Sequence, residues 1–224
     1  MTLSFREVKA SKRSLRCGNE MLSFVQELQA ASASGASGKS LISLAIGDPA
    51  LDGNFPPPVA LTTNVVECAK STHCNNYSPG TGFPSTCEAI AKYWTEHFAT
   101  SMKGKIPSDH VVVSSGSSDA LSMCIGAMCG EGDNILLPSP FFAHYDTLCR
   151  YYNVQPRFYR CNHEKDWEID FDHLRSLADG RTKAILMNNP SNPCGSNFSR
   201  KHVEGLIRVC EELQLPLIAD EIYA

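Results

Sequence analysis

An α/β fold, with a mostly parallel sheet and crossover helices, is what this sequence predicts. From Pro57 onward, segments with helical spacing of apolar residues alternate with short, continuous apolar runs. Gly, Pro, Asp or Asn bounds each run, the pattern of strands buried on both faces between turns. The alternation itself argues for strands laid side by side in parallel, each joined to the next through a helix.

Taken in order, helices are predicted at Met21–Leu28, Pro58–Ser71, Ser85–Met102, Ser117–Cys129, Ala143–Tyr152, Phe171–Leu177 and Ser199–Leu213. Strands are predicted at Val111–Ser114, Ile135–Pro138, Gln155–Tyr159, Ala184–Asn188 and Leu217–Asp220. Ala30–Ser40, rich in Ala, Ser and Gly, reads as linker. Inside it, Ala33–Ser40 passes a permissive phosphate-binding P-loop pattern. Linker precedes that run and the apolar stretch Leu41–Ile46 follows it, the reverse of the strand–loop–helix order a P-loop requires.

The 224 residues are 42% hydrophobic and 20% charged, as in a globular chain with a sizeable core. A formal charge of -4 and a pI near 6.0 argue against a nucleic-acid or membrane-surface binder, which needs a basic face. Charged, Pro or Gly residues interrupt every hydrophobic stretch short of the roughly 20 residues that span a bilayer. A small-molecule ligand is the expected partner.

Ten cysteines occur without a Cys-x-x-Cys pair, so no metal knuckle is expected. Cys124 and Cys129, in an apolar helical run, read as small hydrophobes. Reduced thiols in this number point to a reducing compartment, the cytoplasm ahead of the mitochondrion. Arg6, Lys9, Lys12, Arg13 and Arg16 face one acid, Glu7, in the first 18 residues. Transit peptides and flexible basic arms share that pattern, and the lack of a clear amphipathic helix favours the arm.

Ligands of open parallel sheets collect beyond the carboxyl ends of the strands, so the residues following each run are the candidate site. Ser114-Ser115-Gly116-Ser117-Ser118 opens a helix and offers backbone N–H groups, hydroxyls and a positive dipole end, as a phosphate cradle or an ordinary N-cap. Pro138-Ser139-Pro140-Phe141-Phe142 holds aromatic rings at the sheet edge, for core packing or for stacking on a flat ligand. Asn188 to Gly195 is a loop with two Asn-Pro steps, more than one turn needs. Asp220-Glu221-Ile222-Tyr223 places an acid at the end of an apolar run, where a buried carboxylate calls for a cationic partner.

Asn189-Pro190-Ser191-Asn192-Pro193-Cys194-Gly195 together with Ala219-Asp220-Glu221-Ile222-Tyr223 resembles the class I/II pyridoxal-phosphate-dependent aminotransferases, nearest the tyrosine aminotransferase type. Ile46-Gly47-Asp48-Pro49, Tyr77-Ser78-Pro79-Gly80-Thr81-Gly82 and Asp166-Trp167-Glu168-Ile169-Asp170 match the same pattern in order and spacing, so the likeness covers roughly residues 40 to 224. It implies the three-layer α/β/α large domain of fold type I, mostly parallel and here partial. Residues 1–40 then form an arm and linker, 41–75 a segment leading into the large domain, and 76–224 part of that pyridoxal-phosphate-binding domain.

By this resemblance Ser115, Gly116 and Ser117 bind the phosphate of pyridoxal 5'-phosphate, and Tyr77 adds its hydroxyl from the partner subunit of a homodimer. Phe142 lies against the pyridine ring, Asn192 and Tyr223 hydrogen-bond its phenolic oxygen, and Asp220 pairs with the ring nitrogen. Gly47 meets the substrate carboxylate through its backbone N–H. The implied reaction moves an amino group from tyrosine or another aromatic amino acid to a 2-oxo acid. The lysine that anchors the cofactor in this family matches none of the ten lysines, all of which precede Asp220, so the chain alone is expected to be inactive.

The resemblance also places two downstream strands between Val111–Ser114 and the rest of the sheet, so exposed edges and poor solubility are expected. A lyase or synthase on the same scaffold, and a non-catalytic cofactor-binding or dimerising chain, are the rival expectations.

Overall fold

The computed structural model describes residues 9–18, 20–33, 47, 48, 50, 55–98 and 104–224. The apolar run at 41–46 and all but the first residue of the P-loop-like run lie outside them. The chain divides into two compact units, Leu22–Ser114 and Met1–Met21 with Ser115–Ala224.

The second of these holds the sheet. Its strands are β1 (Asn134–Ser139), β2 (Gln155–Asn162), β3 (Glu168–Ile169), β4 (Thr182–Asn188) and β5 (Leu217–Asp220), in the spatial order β3-β2-β1-β4-β5. All neighbours are parallel except the short antiparallel β2–β3 pair. Helices α5 (Gly116–Met128), α6 (His144–Tyr152), α7 (Phe171–Leu177) and α8 (Arg200–Leu213) connect or precede the strands.

The period-2 alternation of a strand explains the layering. Ile135 and Leu137 of β1, Ala184 and Leu186 of β4 and Ile218 of β5 share one cluster with Leu121 and Ile125 of α5 and Tyr145 and Leu148 of α6. Their alternates Leu136, Ile185, Met187 and Tyr159 pack on the opposite face with Leu174 of α7 and Leu206 and Val209 of α8. Ile135, Leu136 and Leu137 are therefore all fully buried. Each such side chain contributes about 1.5–3 kcal/mol, which favours this three-layer α/β/α arrangement over a sheet with one wet face.

The motif Asp166 to Asp170 is explained by local structure. Asp166 and Trp167 take left-handed backbone angles (φ 50 and 62) to close the β2–β3 turn. Asp170 caps α7, its carboxylate accepting from the His173 N–H.

The other unit contains most of α2 (Glu20–Ala33), with α3 (Val59–Lys70) and α4 (Pro84–His97). α2 runs past its predicted end at Leu28, because the alanines at 30, 31 and 33 are strong helix formers. α4 begins with a proline in its first turn and ends at His97, short of the predicted Met102.

The expectation of a strand at Val111–Ser114 is corrected. Val111 is extended (φ -104, ψ 129), yet the segment has no ladder partner among the described residues. Its main-chain bond is instead Val113 N–H to the Thr81 carbonyl, at 2.9 Å. Gly82 beside it has φ 112, and a Cβ there would lie 2.7 Å from Val113 Cγ2, so only glycine lets the two segments close.

Within the N-terminal arm, Lys12–Arg16 form the short helix α1, capped by the Ser11 hydroxyl. The Arg13 guanidinium lies 4.9 Å from the centre of the Tyr151 ring, and Arg16 Nε donates to the Arg150 carbonyl at the end of α6.

All ten cysteines are free. Cys129 is buried as expected, whereas Cys124 is exposed, so the small-hydrophobe reading is corrected there.

Candidate functional site

Because β1, β4 and β5 are parallel, their carboxyl ends meet at one edge of the sheet. Asn188 and Asp220, the last residues of β4 and β5, are register partners. β1 delivers Phe141 and Phe142 to the same edge, and the loop after β4 delivers Asn192.

Asp220 is 8% exposed. Its Oδ2 accepts a 2.6 Å hydrogen bond from the Tyr145 hydroxyl, and its Oδ1 a longer one, 3.3 Å, from the Ile222 N–H. The sequence calls for a cation beside this carboxylate, but among the described residues Asp220 forms no ion pair. Among the described residues its side-chain partner is the neutral Tyr145 phenol, on Oδ2.

Tyr145 is fully buried in the first turn of α6. Burial first, then its bond to Asp220, holds the phenol's pKa far above its usual value, so Tyr145 remains the donor. The Phe142 ring meets it edge-on, with centroids 5.7 Å apart and planes at 88°, while Phe142 itself stays 37% exposed.

Asn188 ties the two strand ends together. Its Nδ2 donates to the Asp220 carbonyl at 3.2 Å and its Oδ1 accepts from the Asn192 N–H at 2.6 Å. The same Asp220 carbonyl accepts from the Asn189 N–H, and Asn189 Oδ1 in turn accepts from the Phe198 N–H. Three cis bonds, Ser139–Pro140, Asn189–Pro190 and Asn192–Pro193, shape this edge, and Gly195 (φ 66) completes the loop.

Tyr223 follows β5 in a turn, 59% exposed.

Ser115 is the N-cap of α5, Gly116 has φ 79, and Ser117 is half-buried in the first turn. α5 packs on β5 through the cluster containing Ile218, and residues 129–133 turn its far end back into the start of β1. Its 13 residues span about 20 Å, a length similar to β1, so its N-terminus faces the carboxyl edge. The Ser115 N–H is engaged by Asp119 Oδ2 at 3.0 Å, an acid in the first turn that favours the helix dipole.

The structure thus brings Phe142, Asn192, Asp220 and Tyr223 to one edge, with the turn at 115–117 on the helix beside it. Tyr77 and Gly47 belong to the other unit, Tyr77 completely exposed and Gly47 exposed. Two residues of the edge had no assigned role, Tyr145 and Asn188. Tyr145 lies in the first turn of a predicted helix just after Phe142, and Asn188 is the polar end of an apolar run.

The fold is that of an aminotransferase, and the chain belongs to the aminotransferase class I and II family, whose model matches residues 39–224. It is similar to the tyrosine aminotransferase of Dictyostelium discoideum, 41% identical over 186 residues that cover 83% of this chain and 43% of that protein. The tyrosine aminotransferase of Homo sapiens is 38% identical over 185 residues, covering 83% and 40%.

Among solved structures, tyrosine aminotransferase from Leishmania infantum superposes with TM-score 0.83 at 33% identity, covering 96% of this chain and 55% of that one. Alanine aminotransferase from Pyrococcus furiosus gives 0.86 at 32%, covering 96% and 52%. The chain spans less than half the length of the curated relatives it matches.

Proposed function

We propose that this chain supplies the pyridoxal 5'-phosphate-binding part of an aminotransferase that moves the amino group of tyrosine, or another aromatic amino acid, to a 2-oxo acid. The observation that carries the reading is Asp220. A carboxylate this buried, with a phenol and one long backbone bond, is an acceptor set suited to a protonated ring nitrogen. When bound, the cofactor supplies an electron-poor ring that takes up the charge left by the substrate's α proton.

On this reading Asp220 keeps the ring nitrogen protonated, Phe142 lies against the ring, and Asn192 and Tyr223 donate to its phenolic oxygen. Ser115, Gly116 and Ser117 hold the phosphate, which competes with Asp119 for the Ser115 N–H. Tyr77 reaches the phosphate of a second copy in a homodimer, in keeping with its full exposure. Gly47 presents its N–H to the substrate carboxylate. Ten free thiols support a reducing compartment, the cytoplasm, and among the described residues no helix is long and apolar enough to cross a membrane.

Titration of purified residues 1–224 with pyridoxal phosphate, followed through quenching of Trp94 and Trp167 fluorescence, tests the reading. Saturable one-to-one binding without conversion of tyrosine and 2-oxoglutarate is expected, since the anchoring lysine has no match in this stretch. Absence of binding refutes it.

A further inference from the structure

We infer that Tyr145 is a positioning residue that acts through Asp220, fixing which carboxylate oxygen is offered to the cofactor's ring nitrogen. The inference rests on the functional reading above and adds to it a residue that no part of that reading requires.

A free aspartate carboxylate rotates through a broad, nearly two-fold range about its last torsion. Tyr145 ends that freedom. Its hydroxyl is fully buried on α6, carries one proton to donate, and spends it on Oδ2 at 2.6 Å. The Phe142 ring packs edge-on against the Tyr145 ring, and Leu148 one turn along α6 lies in the same buried cluster, so the donor itself has little room to move. Oδ1 retains only the 3.3 Å bond from Ile222 and is the oxygen left for a cation. A carboxylate already turned to its ligand loses less freedom on binding, which is how preorganisation raises affinity.

Tyr145 also connects two parts of the edge. It touches the ring that faces the cofactor, Phe142, and the acid that pairs with it, Asp220. The aromatic and the electrostatic contacts are thereby set by one side chain.

The test compares pyridoxal phosphate with its analogue in which carbon replaces the ring nitrogen, so that only the contact to Asp220 differs. Dissociation constants for both are measured on the wild-type chain, on Tyr145→Phe and on Tyr159→Phe. Tyr159 is a matched control, a fully buried phenol whose hydroxyl donates to the Leu186 carbonyl rather than to Asp220.

Wild type is expected to prefer the nitrogen-containing ligand. Tyr145→Phe should reduce that preference about tenfold, the contribution of one hydrogen bond to a charged group. Tyr159→Phe should leave the preference unchanged even if it lowers stability. An unchanged ratio in Tyr145→Phe, or an equal fall in both variants, overturns the inference while leaving the functional reading intact. Failure of the wild type to bind either ligand, or to distinguish them, overturns the functional reading and the inference with it.

Discussion

Asn188 Oδ1 accepts the Asn192 N–H at 2.6 Å while the Nδ2 of the same side chain donates to the Asp220 carbonyl, so one buried amide joins the loop after β4 to the end of β5. Asn188→Ala leaves the Asn192 N–H without that acceptor in a site 4% exposed, while the Asp220 carbonyl keeps the Asn189 N–H. A loss of about 1–3 kcal/mol in urea unfolding is expected, with weaker binding of pyridoxal phosphate. Wild-type stability in this variant would show that the amide does not brace the loop.

Asp220→Asn separates function from stability. The amide oxygen can still accept from Tyr145, and a buried, unpaired charge is removed. Unfolding free energy is expected to hold or rise, while affinity for pyridoxal phosphate falls at least about tenfold. Lower stability with unaltered affinity would mean the carboxylate serves the fold.

His202 gives the fold a pH dependence. Its Nε2 accepts the Ile169 N–H at 2.9 Å, its ring stacks on Phe171 with centroids 4.6 Å apart, and Glu168 Oε1 is 3.6 Å from Nδ1. Burial lowers the imidazole pKa below 6.5, outweighing the opposing pull of Glu168. A lowered histidine pKa favours the neutral folded form. This contribution is complete above pH 6.5, where the unfolded imidazole is also neutral, and is lost as the pH falls towards the folded value. Urea midpoints should decline below that pH, and His202→Gln should flatten the decline.

Gly82→Ala places a Cβ against Val113 at a backbone angle that L side chains avoid. Destabilisation of about 1–3 kcal/mol is expected from strain and overpacking together, read as a lower Tm. A neutral outcome would show that the 79–82 turn and Val113 do not close as described.

Thiol reactivity maps the layers. Burial pushes the Cys149 thiol up to about 12 and those of Cys129 and Cys161 to about 11. Cys68, Cys74 and Cys124 are exposed. A maleimide should label this exposed set first and Cys149 only on unfolding. Early labelling of Cys149 would contradict its buried place on α6 against the sheet.

Most of the secondary structure was legible because it rests on local pattern. Phe171–Leu177 coincides with its prediction, and β1, β2, β4 and β5 fall on their apolar runs. Val111–Ser114 shows the limit of that logic. Three consecutive valines favour an extended backbone, but a ladder also needs a neighbour, and none is present among the described residues. β3 escaped notice because two residues, one of them Glu168, make no apolar run.

At the site, the sequence singled out Asp220 but did not reveal Tyr145, its hydrogen-bond donor within the chain. Tyr145 and Asp220 are 75 positions apart, and their meeting depends on the order of strands in space, which no local period encodes. Asn188 was visible as a polar residue ending an apolar run, yet its two bonds follow from the register that sets it beside Asp220.

The Asp220 carbonyl receives donors from both Asn188 and Asn189, so the acid and the asparagine loop behave as one mechanical part. Tilting either end drags the other. Mutations at positions 188, 192 and 220 should accordingly be epistatic, and an engineer seeking to retune one part of this edge must redesign all three at once.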